Sequence, residues 1–185
     1  VGWRPDPETA LEPPEPDWPA DDPEQRLIDL FLKRAPALPA GIRVGPGDDA
    51  ALLADGTAIT VDTLVEGVHF DARLRGADVG WKAVAASVSD LAAIGARPSW
   101  MLLSLSLPSP LDTAWAAAFA EGLAEAAQTY GVALIGGDTT GSPGPRVVSV
   151  TMGGRCATAP LLRSGAKPGA RVWVTGTPGL AAGGY

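Results

Sequence analysis

Apolar positions recur along this chain with two periods, and the change from one to the other marks its elements. Asp22-Pro23-Glu24-Gln25 supplies an N-cap, a proline at the first helical position and a glutamine at the capping-box position. Leu27, Ile28, Phe31 and Leu32 then form a helical stripe that ends before Pro36. A second helix is predicted over Asp78–Ile94, closed by Gly95 and Pro98, with Trp81, Val84, Ala85, Val88, Leu91 and Ala92 on its apolar side. Its remaining positions are mostly small, which lets a neighbouring element approach closely. Ser99–Leu107 alternates, with Met101, Leu103, Leu105 and Leu107 on one face and Ser104 and Ser106 on the other, so a strand is predicted. A third helix opens at Asp112 and closes at Gly131 around Trp115, Phe119, Leu123 and Ala126. Short strands follow at Val132–Ile135 and Arg146–Met152, and a last one at Ala170–Thr175.

Between the first two helices, Ala50–Ala54 and Thr57–Asp62 flank Asp55-Gly56 and read as a hairpin with a two-residue turn, fed from a loop over Pro36–Val44. That register sets Leu52 opposite Ile59 and Asp49 opposite Asp62. It puts Asp49, Thr60 and Asp62 on one face and Leu52, Ile59 and Val61 on a core face. Two carboxylates roughly 5 Å apart repel by about 3 kcal/mol at an effective dielectric of about 20, a cost that a bound cation removes. The alternative is a pair of solvated strand-end carboxylates. Asp90, inside the second helix where aspartate has poor propensity, is a candidate third ligand, and Asp138, after Gly136-Gly137, a fourth.

The element order gives an α+β layer, a mixed or antiparallel sheet with helices on one face. The other face needs cover, which a homodimer packing sheet on sheet supplies. The domain occupies residues 22–155. Residues 1–21, rich in proline and acid, read as a disordered tail, and residues 156–185 as a linker and the start of a truncated second domain.

Composition narrows the chemistry. A net charge of −7 across 185 residues offers no basic footprint for nucleic acid or an anionic membrane. One cysteine, Cys156, excludes an intramolecular disulfide, and one histidine, His69, excludes the usual zinc sets. No apolar run approaches the length of a membrane span and no signal peptide is evident, so a cytoplasmic protein is expected. Gly45-x-Gly47-x-x-Ala50 precedes a hairpin rather than opening a helix, so it is not a dinucleotide fingerprint. Separated aspartates beside Gly- and Thr-rich segments suit Mg²⁺ holding a polyphosphate, with Arg163 and Lys167 as candidate phosphate charges. Cys156 reads as an inert thiol, because nothing near it in sequence lowers its pKa.

Five segments in order carry a resemblance: Gly45-x-Gly47-Asp48-Asp49-Ala50-Ala51-Leu52-Leu53, Val61–Phe70, Lys82–Ala96, Ile135-Gly136-Gly137-Asp138-Thr139-Thr140, and Arg163–Gly169. Over about residues 24–185 the chain resembles thiamine-monophosphate kinases, of the aminoimidazole ribonucleotide synthetase-like superfamily. The resemblance implies N-terminal domains that pair into a β-barrel in a dimer. It also implies ATP- and Mg²⁺-dependent phosphorylation of thiamine monophosphate to thiamine diphosphate, without a covalent phospho-enzyme and so without a nucleophilic catalytic residue. Metal-contacting positions fall on Asp49, Thr60, Val61, Asp62, Asp90 and Asp138; Val61 would serve only through its carbonyl. ATP-contacting positions fall on Gly137, Asp138 and Arg163, and the substrate-contacting histidine on His69. The family has a second domain contributing further contacts, so turnover by these 185 residues alone is not expected. The alternatives are a non-catalytic dimerising nucleotide-binding fragment, or another ATP-using member of the superfamily such as a hydrogenase maturation factor.

Overall fold

The computed structural model describes residues 22–180; the segment read as an acidic tail, 1–21, lies outside the described residues. Three helices and six strands follow in the order α1 (Pro23–Leu32), β1 (Ile42–Val44), β2 (Ala51–Leu53), β3 (Thr57–Val65), α2 (Gly76–Ala93), β4 (Ala96–Pro108), α3 (Thr113–Tyr130), β5 (Ala133–Ser142) and β6 (Val147–Cys156). One sheet takes all six strands in the order β1-β2-β3-β6-β4-β5, antiparallel except for the parallel pair β4-β5 that α3 connects. It is a mixed sheet with α2 and α3 on one face, as expected, whereas the predicted stripe of α1, Leu27, Ile28, Phe31 and Leu32, is exposed and α1 buries none of its residues.

Local signals set the helix ends. Asp22 caps α1 by accepting from the Glu24 N–H at 2.9 Å. Asp112 caps α3 by accepting from the Trp115 N–H at 3.0 Å, and Gly131 ends that helix in the left-handed region. The strands depart further from expectation. β1 forms where a loop was read, because pairing with β2 stabilises three residues that carry little signal alone. β5 does not stop before Gly136-Gly137-Asp138 but runs through them. Gly137 is required there: a Cβ would meet the Leu103 backbone. Residues 170–175 form no strand; Val172 and Trp173 are exposed.

The hairpin register is shifted by one from the sequence reading. Ala51 pairs with Ile59 and Leu52 with Ala58, so the loop is the three residues Ala54-Asp55-Gly56. Gly56 takes a positive φ of 87° and donates its N–H to the Leu53 carbonyl, while Asp55 accepts from the Thr57 N–H at 2.9 Å. The consequence reverses the predicted faces of β3, while Leu52 stays in the core as predicted. Val61 is 62% exposed, and Ala58, Thr60 and Leu64 are buried beneath the helices. The site oxygens of β3 therefore lie on the core face, and Asp49 does not stand opposite Asp62.

The core lies between the sheet and α2, built from Leu52, Val84, Leu91, Met101, Val148, Val150 and Met152. α2 turns toward its neighbours not the predicted Ala85 and Ala92 but Gly76, Gly80, Ala83 and Ser87. Small residues allow backbone contact with α3, where a Cβ on Gly76 would come within 2.5 Å of the Trp115 carbonyl oxygen and one on Gly122 would land on the Ala77 carbonyl. The opposite sheet face carries Val61, Thr63, Leu102, Ser104 and Asp138, all exposed.

Candidate functional site

α2 is held against the sheet by polar contacts at its C-terminal half. Ser87, fully buried, donates to the Val150 carbonyl at 3.4 Å. One turn later Asp90 accepts from the Thr60 hydroxyl at 2.6 Å. Asp62 lies two residues along the same face of β3, opposite Val150 on β6. Burial pushes the Asp90 carboxyl above the usual carboxylate range, and the negative charges of Asp62 and Asp49 add to that while the Thr60 hydroxyl opposes it. Among the described residues, Asp62 Oδ2 is buried without a hydrogen-bond partner.

Asp49 reaches this group from the bend before β2, half-buried. Its Oδ1 is 2.5 Å from Arg163 Nη2, and Asp48 Oδ2 accepts the Arg163 backbone N–H at 3.1 Å. Arg163 opens a short 3-10 turn, Arg163–Gly165, that folds back from beyond β6. Asp49 first, with Asp48 and Asp90 beyond it, holds the guanidinium still more firmly protonated than usual. Asp48 is the participant missed in the sequence; the doubled aspartate after Gly47 was its available signal.

The donors are all oxygens: carboxylates from Asp49, Asp62 and Asp90 and the Thr60 hydroxyl. That set, with an orphaned buried carboxylate oxygen and a carboxyl whose charge is disfavoured, fits a hard divalent cation such as Mg²⁺. The carboxylates are not closed around a point, and among the described residues no group of three or more His, Cys, Asp or Glu is already disposed to hold an ion.

Not every predicted position joins them. Asp138 lies on β5, paired with Ser104 of β4 and three strands from β3, roughly 14 Å at the usual strand spacing. It also shares the uncovered face with Thr63 and Ser149 rather than the face of Asp62. Within one chain Asp138 and Gly137 are therefore not brought to the other carboxylates. The Val61 side chain points away from them on the exposed face, and Lys167 is exposed. His69 stands at the far end of β3 in an exposed loop. Its Nδ1 accepts from the Val65 N–H at 3.0 Å, and its carbonyl accepts from Lys82 Nζ at 2.6 Å. Lys82 precedes Asp90 by eight residues of α2, about 12 Å of helix.

Residues 47–156, which carry Asp48, Asp49, Thr60, Asp62 and Asp90, match the family described as AIR synthase related protein, N-terminal domain. The chain belongs to this family. Within the AIR synthase related family its similarity runs to thiamine-monophosphate kinases, as the motifs led us to expect. It is 42% identical to that of Escherichia coli K12 over 172 residues, 87% of this chain and 50% of that protein. It is 40% identical to that of Methanopyrus kandleri over 157 residues, covering 84% of this chain and 49% of the relative. Its fold is similar to the crystal structure of thiamine monophosphate kinase from Aquifex aeolicus, with a TM-score of 0.62 and 30% identity over 72% of this chain and 41% of that one. A structure described as AaThiL complexed with AMPPCP and TMP gives 0.63 and 33% over 72% and 42%. The chain thus spans about half the length of the curated relatives it matches. Among the described residues no helix is long and apolar enough to cross a membrane.

Proposed function

We propose that this chain is the N-terminal, cation- and ATP-binding half of an enzyme that transfers the γ-phosphoryl group of ATP to thiamine monophosphate, giving thiamine diphosphate and ADP. The observation that carries the reading is the approach of Asp49, Asp62 and the Thr60 hydroxyl to Asp90 in a chain 42% identical to a thiamine-monophosphate kinase. Mg²⁺ bound there would neutralise phosphate charge and align the transferred group. The chain's own residues do the rest. Asp62 offers its buried oxygen as a ligand, Thr60 holds Asp90 through its hydroxyl, Asp49 adds a carboxylate from the β2 side, and Arg163 supplies a guanidinium for phosphate oxygens. His69, with Nδ1 occupied by a backbone N–H, presents Nε2 to the acceptor substrate from the loop between β3 and α2.

Gly137 and Asp138 enter this reading through a second copy. Pairing of the uncovered sheet faces into a barrel, which the family resemblance implies, buries Val61 and Leu102 and gives the edge strand β5 a neighbour. Residues 156–180 serve as the connection toward a second domain of the kind the longer relatives have room for.

Calorimetric titration of the chain with a non-hydrolysable ATP analogue tests the assignment, with and without Mg²⁺ and repeated for Asp62→Asn. Heat that requires both the metal and Asp62 supports it. Binding that is indifferent to Asp62 removes the carboxylate pocket from the reading.

A further inference from the structure

We propose that Arg163 is the built-in counter-cation of the carboxylate pocket, displaced from Asp49 by an arriving divalent cation and so released toward the phosphates. This rests on the reading of Asp49 as a cation ligand. Arg163 stands 114 residues beyond Asp49, yet its guanidinium sits on Asp49 Oδ1 and neutralises the carboxylate that a cation would draw on. Both partners are partly exposed, 46% for the Arg163 side chain and 26% for that of Asp49, and a solvated monovalent pair is weak against a divalent competitor.

The backbone beneath the arginine is fixed independently of its side chain. Asp48 Oδ2 accepts the Arg163 N–H while Asp48 Oδ1 accepts the Asp49 N–H at 2.9 Å, and the Leu161 N–H donates to the Ile94 carbonyl at 3.0 Å. Asp48 is thus a positioning residue that clips the 3-10 turn to the loop before β2. When the guanidinium leaves Asp49 the side chain swings from a fixed base, which keeps it at the pocket rim. In the cation-free chain the same contact offsets the repulsion among Asp48, Asp49 and Asp90.

Mn²⁺ alone is the probe, titrated at low ionic strength into the 185-residue chain and read by the free-ion paramagnetic resonance signal. Arg163→Gln should bind Mn²⁺ about three- to fivefold more tightly than the unaltered chain, the span of a rim-exposed ion pair. In the unaltered chain, modification of the Arg163 guanidinium by phenylglyoxal should accelerate in Mg²⁺ over NaCl of equal ionic strength; this needs no variant and decides the matter if Arg163→Gln does not fold. Equal or weaker Mn²⁺ binding by a folded Arg163→Gln, or modification of Arg163 indifferent to Mg²⁺, overturns the counter-cation role and leaves the cation pocket standing. Failure of both the unaltered chain and Arg163→Gln to bind Mn²⁺ overturns the pocket and the counter-cation together.

Discussion

The Thr60 hydroxyl donates to Asp90 at 2.6 Å, so strand β3 and helix α2 meet at this level through oxygen rather than hydrocarbon. Thr60 is 7% exposed, and the bond is what makes its polar atom tolerable there.

Thr60→Val should therefore lower cation-free stability by about 1–2 kcal/mol, since it leaves a half-buried carboxyl without its donor. Asp90→Asn should cost less, because an amide oxygen still accepts from Thr60 and the repulsion from Asp62 and Asp49 disappears. Urea unfolding of both variants checks the order; a more harmful Asp90→Asn contradicts it.

Asp62→Asn should leave the cation-free chain as stable or slightly more stable. Asp62 Oδ2 is buried without a donor among the described residues, beside a carboxyl that its charge already disfavours, so the native fold gives up nothing with that charge. A thermal midpoint lowered by several degrees would show that the Asp62 carboxylate has a structural partner.

Gly122→Ala should destabilise by about 2–3 kcal/mol although alanine is the better helix former, because its methyl group lands on the Ala77 carbonyl and must drive α3 from α2. Chemical denaturation gives the magnitude, and any stabilisation would place the two helices further apart than described.

Cys156 should resist modification. It is 6% exposed, and burial raises its thiol pKa, so at any pH below that value the folded chain holds less thiolate than the unfolded one. Alkylation at pH 8 should run more than about tenfold slower in the native chain than in urea, and should rise with pH later than for a free thiol.

What the sequence disclosed divides along a physical line. Caps are local, and Asp22, Asp112 and Gly131 stand where the residues alone placed them. The alternation of Met101, Leu103, Leu105 and Leu107 also survives, with Met101 and Leu107 buried and the other two packed against the core. The hairpin was not decidable locally, since Ala54-Asp55-Gly56-Thr57 can close over two residues or three, and one residue exchanges the faces of β3 relative to Leu52. β5 was cut short because glycines argue against strands, whereas the backbone of Leu103 requires glycine at position 137. Val172-Trp173-Val174 has strand composition, and no described strand pairs with it. Of the site, Asp49, Thr60, Asp62 and Asp90 were legible as oxygens out of place. The occupation of Asp49 by Arg163 was not, because only the folded chain brings the two together.

The central ladder of the sheet joins β3 to β6, running from Thr57 with Arg155 to Val65 with Val147. Asp62 therefore faces Val150, a residue made almost ninety positions later. As the chain emerges from the ribosome, Asp49, Thr60 and Asp62 are complete early, yet β3 has no inner neighbour until β6 has followed. The face of β3 that carries Thr60 and Asp62 is consequently backed only once β6 is in place. A topology dominated by such distant pairings belongs with domains that fold in milliseconds to seconds rather than microseconds.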